Sequence, residues 1–439
     1  MNDSFFELIR VAIGNKVCLS RVPSAAEWNA LYSLSVKQAV AGVCFCGVQR
    51  LPKEQLVEMP VRLKLQWFAL ATQIQQRNEQ MNRRCVEVQR MLAKEGMRSS
   101  ILKGQSIAVL YDLNLDLNLN KDDNRDYKNN LNLGLYRQCG DIDIYVPCGM
   151  EKALKWCRER YGDVDFDYIN AHVPVFKDVE VELHWRVQSM TNLFKNRKLQ
   201  RWLEREETKE MILGGKADMK PSESLQSSET SITVPSLEFN AFYLMLHCYH
   251  HVFESGLGLR QLMDYYFLLM AIHGTHGEHG LEMTKFSDGN SDHGFNGLNG
   301  DANAIANVNR LFKEFGMERF VGAVMWIMQE VFGLERERML CEPDEKEGRY
   351  ILDEVMAGGN FGHHDERIRK VGKGKWQSVF ANLQHAIHVL RRYPQEALWM
   401  PVWMVYHFVW KRTFSLSQMC RAKFTWAMPW REKVHDNEL

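Results

Sequence analysis

Apolar positions recur along the first 98 residues at the spacing of amphipathic helices: Phe5, Leu8, Val11 and Ala12, then Leu63, Leu65, Trp67, Leu70 and Ala71. Residues 87–94 (EVQRMLAK) continue as a charged amphipathic helix, and Gly96 stops it. The period changes at Arg98. SSILKG reads as a short apolar strand ending in a glycine turn, followed by a helix from Gln105 to Tyr111. From Gly140 to Pro147 the alternation is clean: Ile142, Ile144 and Val146 share one face, Asp141, Asp143 and Tyr145 the other. A helix over Glu151–Tyr161 comes next, then strands over 165–168, 172–176 and 179–187, with Lys177-Asp178 in a hairpin turn. In the last strand Val181, Leu183, Trp185 and Val187 form the apolar face, and Glu180, Glu182, His184 and Arg186 the polar one.

After Pro235 the pattern is helical again. Ser236 is an N-cap for a helix through Phe253, Gly256 and Gly258 form a turn, and Arg260–Ile272 is the next helix. Helices resume at Asn307, with breaks near Gly358-Gly359 and Pro394. Two stretches are compositionally biased: Leu113–Gly134, rich in Asn and Asp, and Gly274–Asn303, rich in Gly, His and Asn. Such residues favour turns over packed elements, so both read as loops. Residues 214–234, rich in Ser, Gly and Lys, read as a linker. The expected organisation is a helical region over 1–98, a mixed-sheet domain over 99–213 carrying the 113–134 insertion, and a helical domain over 235–439 carrying the 274–303 loop. Two or three domains suit 439 residues.

Composition narrows the function classes. With 45% hydrophobic and 25% charged residues the chain is neither wholly disordered nor fibrous. Lys+Arg and Asp+Glu are both 55, so no basic coat for a long nucleic acid is indicated. The ten cysteines contain no CxxC pair. Cys44-x-Cys46 is the closest grouping, and Cys139, Cys148 and Cys157 are too widely spaced for a zinc knuckle, so free thiols in a reducing compartment are expected. The first residues lack the basic and apolar regions of a secretory signal. Ala397–Trp410 is shorter than the roughly 20 residues that span a bilayer. A cytoplasmic protein without a transmembrane segment follows as the expectation. The 397–412 segment reads as a buried terminal helix or oligomer contact, with a peripheral membrane surface as the alternative, given Arg391, Arg392, Lys411 and Arg412 around it.

Three pieces carry candidate chemistry: Leu102-Lys103-Gly104-Gln105-Ser106, Gly140-Asp141-Ile142-Asp143, and Glu182 on a later strand. Carboxylates at i and i+2 of a strand share a face and can share a divalent cation. Mg²⁺ favours one or two carboxylates together with substrate phosphates. A third acid from a neighbouring strand completes a clamp for in-line attack at phosphorus. A glycine turn before a helix presents backbone N–H groups to phosphate oxygens.

LKGQS, GDIDIYV and VELHW together resemble the nucleotidyltransferase fold, and more narrowly a family of largely uncharacterised bacterial nucleotidyltransferases with LKG, GDID and ELHW motifs. LRQLMD (Leu259–Asp264) also resembles the helical part of that family, and the resemblance covers about Leu102–Leu269. It implies an α+β domain with a DNA polymerase beta-like mixed sheet between helical flanks. It also implies Mg²⁺- or Mn²⁺-dependent transfer of a nucleoside monophosphate from an NTP, such as ATP, to an acceptor hydroxyl. Asp141, Asp143 and Glu182 then hold metal and are catalytic. Lys103, Gly104, Ser106, Arg137, Gly140 and Arg260 then bind the nucleotide. The glycine motif departs from the family's Gly-Ser, and the insertion lengthens the link to GDID. The alternative is a catalytically inactive nucleotide- or partner-binding module on the same fold. The acceptor, whether small molecule, peptide or protein, is left open.

Plainer readings stand beside these. Glu180 shares a face with Glu182 and competes as the third acid, and Lys103 reads equally as a solvated strand-end lysine. His184 reads as orienting Glu182 or capping a strand face. His247 and His251 lie at i, i+4 beside His250 and Glu254, but without HExxH order on an apolar helix packed histidines are expected. His276 and His279 read as solvated. Arg260 and Asp264, one turn apart, read as a helix-face ion pair, or Arg260 turns into the cleft.

Overall fold

The computed structural model describes residues 2–113, 132–219, 231–254, 256–273, 302–360 and 392–426. Residues 114–131, 274–301 (with His276 and His279) and 220–230 lie outside these. Four helices come first: α1 (Asn2–Ala12), α2 (Ala25–Lys37), α3 (Ala41–Arg50) and α4 (Val61–Lys94). A capping box of Ser24 and Glu27 opens α2. Helix α4 buries Leu63, Trp67, Ala71, Ile74, Asn78, Met81, Cys85, Val88 and Leu92, a stripe of three- and four-residue steps, and Gly96 at φ +69° follows its end. Leu65 falls between those steps and is exposed, not part of the stripe.

Next come β1 (Ser100–Leu102), the short helices α5 (Gln105–Ala108) and α6 (Leu110–Leu113), β2 (Ile142–Tyr145), α7 (Met150–Tyr161), β3 (Asn170–Val173), β4 (Val181–His184), α8 (Leu193–Leu203) and α9 (Glu206–Leu213). The sheet order is β1-β2-β4-β3, with β2 and β4 parallel and the outer pairs antiparallel. No strand forms over 165–168; Phe166 makes one bridge to Ala171. The carbonyls of Tyr168 and Ile169 are instead taken by Trp185 and Arg186, so this stretch folds as a loop against the end of β4. Strand β3 stops at Val173 because Pro174 has no N–H to donate.

The stretch read as a linker carries an antiparallel pair, β5 (Gly215–Asp218) and β6 (Ser231–Val234). Ala217, Ile232 and Val234 are buried, and the Gln89 amide bonds both N–H and C=O of Thr233. Surrounding Ser, Gly and Lys mask that alternation in the sequence. The helices that follow are α10 (Leu237–Glu254), α11 (Leu259–His273), α12 (Ala302–Phe315), α13 (Glu318–Ile327), α14 (Glu345–Gly358) and α15 (Pro394–Trp426). Ser236 caps α10, its Oγ accepting the Phe239 N–H at 3.2 Å.

Helices therefore dominate, and the mixed sheet is small. It lies between two apolar cores. Ile142, Ile144, Val181 and Leu183 join α4 and α7 in one core, while Leu102 and Tyr145 join the larger helical core of α1, α3, α10 and α11. Helix α15 is not a buried terminal helix: Ala397 and Met400 are buried, but Leu398, Val405 and Phe408 are exposed. No helix among the described residues is long and apolar enough to cross a membrane. Cys18, Cys44, Cys46, Cys85, Cys139, Cys148, Cys157, Cys248 and Cys341 are free.

Candidate active site

Parallel pairing of β2 with β4 sets Asp143 beside Glu182 and Tyr145 beside His184. Paired residues of neighbouring strands point to the same face. Asp143 is 2% exposed and His184 is 2% exposed, so these polar groups lie under the helical layer. His184 Nε2 is 2.9 Å from Asp143 Oδ1 and 3.3 Å from Glu182 Oε2. The Asn170 amide donates to Glu182 Oε2 at 2.5 Å. Burial pushes the His184 imidazolium toward neutrality, but bonds to Asp143 and Glu182 outweigh it and raise its pKa to about 9. Burial likewise favours the neutral Glu182 carboxyl, yet His184 holds its pKa below the usual range.

Lys103 Nζ sits 3.0 Å from Asp143 Oδ1. Burial lowers the pKa of this ammonium, and the nearby Asp143, with Tyr243, Asp141 and Glu182, more than reverses that. Lys103 is thus no solvated strand-end lysine. Its backbone lies at φ +38° and that of Gly104 at φ +48°. Left-handed backbone costs a non-glycine residue about 1–2 kcal/mol, and such strain collects at functional sites. Ser106 clamps the turn, its N–H and Oγ both donating to the Lys103 carbonyl at 2.9 Å. That bond leaves the Ser106 hydroxyl buried and outside the lining of the cleft.

Arg137 makes a bidentate pair with Asp264, at 2.6 and 2.7 Å, and Tyr111 donates to the same carboxylate at 2.8 Å. The helix-face pairing of Arg260 with Asp264 is therefore replaced by a long-range one. Arg260 Nη1 instead donates to the Gln138 carbonyl at 3.0 Å. Burial and the Arg137 charge push Arg260 down to about 10, against the pull of Asp264 and Asp141. It stays cationic at neutral pH. Asn78 of α4 anchors this corner, its amide donating to the carbonyls of Leu135 and Arg137 at 2.7 and 2.6 Å. Gly134 packs so close to Ala108 that a Cβ would lie 2.3 Å from its carbonyl oxygen.

Lys103, Gly104, Arg137, Gly140, Asp141, Asp143 and Arg260 line one narrow cleft closed by α10 and α11. Glu182 adjoins it through Asp143 and His184. Glu180 is exposed, and its carbonyl accepts the Ile142 N–H. It is not the third acid of this group. His247 also lines the cleft, and its Nε2 lies 3.0 Å from that of His251. Burial holds both well below the usual histidine range. They form a neutral hydrogen-bonded pair, as an apolar helix requires. Asn78 carries no signal in the sequence, Asp264 reads there only as a helix-face partner of Arg260, and His184 reads as orienting Glu182 or capping a strand face. For His184 the signal was present: it lies two residues past Glu182 on the same strand face.

A family model described as an uncharacterised nucleotidyltransferase matches residues 24–114 and 134–281, more than half of the chain. The chain belongs to that family. Its match begins well before the LKG motif, so α2–α4 are part of it. It pauses across the Asn-rich stretch and resumes at the turn that leads to Arg137. No curated protein and no solved structure matches the chain.

Nucleotidyltransferases work on phosphates with divalent cations, and the donor set fits one. Ligand atoms of Asp143, Glu182 and His184 all lie within 4.8 Å of one another. Lys103 Nζ and His184 Nε2 both converge on Asp143, at 3.0 and 2.9 Å from its Oδ1.

Proposed function

We propose that this nucleotidyltransferase moves a nucleoside monophosphate from an NTP to an acceptor hydroxyl and releases pyrophosphate. One observation carries this: Asp141 and Asp143 line the same cleft as Lys103, Arg137 and Arg260, with Gly104 and Gly140 between them. Carboxylates and fixed cations in one desolvated cleft suit a triphosphate, whose transfer depends on positioning and charge stabilisation. Asp141, Asp143 and Glu182 would hold Mg²⁺ or Mn²⁺, which supplies charge neutralisation at the phosphates, and His184 would orient the two acids it bonds.

Lys103 and Arg260 bind phosphate oxygens. The Gly104 and Gly140 backbone lets the triphosphate approach closely. Arg137, locked by Asp264, shapes the wall of the cleft on the side of the leaving pyrophosphate. The acceptor oxygen forms a bond to the α-phosphorus as the bond from that phosphorus to the bridging oxygen breaks. The electron pair leaves with pyrophosphate, and the hydroxyl proton passes to Glu182 and then to solvent.

Pyrophosphate release from ATP, GTP, CTP and UTP, with cell extract as acceptor source, tests this. Asp141→Asn/Asp143→Asn is expected to lower Mg²⁺-dependent release at least about 100-fold, a loss on the scale of removing one key electrostatic group. Nucleotide binding without Mg²⁺-dependent release by the wild type replaces the proposal with the inactive binding module.

A further inference from the structure

A second, roomier cleft of about 330 Å³ lies between the loop before β3, the 189–191 segment, α10 and α15. We propose that it is the acceptor site and that it takes a saccharide, neutral or amino-substituted, with a hydroxyl presented to Glu182. The assignment rests on the nucleotidyl-transfer reading above.

Its position joins it to the chemistry. Ile169, in its wall, precedes Asn170, whose amide holds Glu182. His250 lines this cleft and His247, one turn earlier on α10, lines the first. At the other corner Ser189 lines it, and the neighbouring Gln188 is 3.3 Å from His247 Nδ1 and accepts the Ser189 N–H. The two clefts are thus neighbours along α10 and residues 188–189, and Asn170 links the wall of the second to Glu182.

The lining chemistry selects the occupant. Tyr168, Phe253 and Trp403 give aromatic surface. The Tyr168 ring is held edge-on to Trp403, with centroids 5.4 Å apart, and under the Arg186 guanidinium at 4.3 Å. Rigid aromatic rings match the C–H face of a sugar. Ser189, His250 and the hydrogen-bonded pair Asp167–His407 supply donors and acceptors for its hydroxyls. A long aliphatic chain sets its methylenes against those polar groups and gains no hydrogen bond from them. No lysine or arginine is among the described lining residues, and the Arg186 guanidinium is held by the Tyr168 ring and carbonyl, so the lining is not built for a phosphorylated sugar or a nucleic acid. Met400, Trp403 and His407 belong to α15, beyond residue 281 where the family match ends. Acceptor choice thus lies with a segment outside that match.

Binding of glucosamine, N-acetylglucosamine and glucose 6-phosphate to the full chain, by saturation-transfer NMR, tests this, with Mg²⁺–NTP binding measured in parallel. The variants are Trp403→Ala, Trp403→Phe and His250→Ala. One or both unphosphorylated sugars are expected to bind, with affinity falling at least about tenfold in Trp403→Ala and partly restored in Trp403→Phe. Nucleotide affinity is expected to stay within about twofold. Nucleotide binding without any sugar binding, preference for glucose 6-phosphate, or indifference to Trp403→Ala overturns the acceptor site but leaves the transferase reading. Sugar binding without nucleotide binding overturns the transferase reading and the acceptor role with it.

Discussion

Asp264 is 4% exposed and receives two bonds from Arg137 and one from Tyr111. Removing one partner of a buried pair strands the other charge, at a cost of about 3–5 kcal/mol. Asp264→Ala is therefore expected to lose about that much stability in urea unfolding, and a loss below about 1 kcal/mol contradicts the role given to the pair. Gly104, at φ +48° and ψ −111°, occupies backbone that side chains rarely adopt. Gly104→Val is expected to weaken nucleotide binding at least about tenfold by shifting the turn, and unchanged affinity removes the turn from the site. At this scale the acids of GDID and ELHW were legible because strand alternation fixes their faces. The partner of Asp264 was not. Arg260, four residues away, competes for it locally, whereas Arg137 arrives from 127 residues earlier through the fold.

Strand β4 shows why element type was easier to see than element limits. Its alternating Val181, Leu183 and Trp185 mark a strand, yet the loop beside it is set by the Trp185 and Arg186 bonds to Tyr168 and Ile169, which no local pattern announces. Strands β5 and β6 were hidden for a related reason: each shows only four residues, and their pairing is non-local. Helix α10 carries a pH prediction. The folded pKa values of His247 and His251 are depressed below about 6.5, the unfolded value, chiefly by burial. Below pH 6.5 the unfolded chain binds protons that the folded chain refuses, so stability falls as pH drops, by up to about 2.7 kcal/mol per pH unit for the two groups. Melting temperature is expected to fall between pH 6.5 and 5.5, and His247→Gln/His251→Gln to flatten that fall. An unchanged slope in the double variant contradicts a neutral buried pair.

Across the whole molecule, two apolar cores hold the sheet so that its one polar stripe faces a helical layer rather than water. Burying Asp143 and His184 there is costly unless the groups are paired, and pairing them is what brings Lys103 and Glu182 to the same spot. Family membership was legible from short motifs. The wall that α15 adds was not, because its aromatic residues read equally as core, contact or membrane surface until the fold places them against Tyr168. The direct measurement is transfer of label from NTP carrying ³²P at the α or at the γ position, with cell extract as acceptor source. The expected result is α-label in the acceptor and γ-label in pyrophosphate, both lost in Asp141→Asn/Asp143→Asn. γ-Label in the acceptor, or no transfer of either label by the wild type, contradicts nucleotidyl transfer at this cleft.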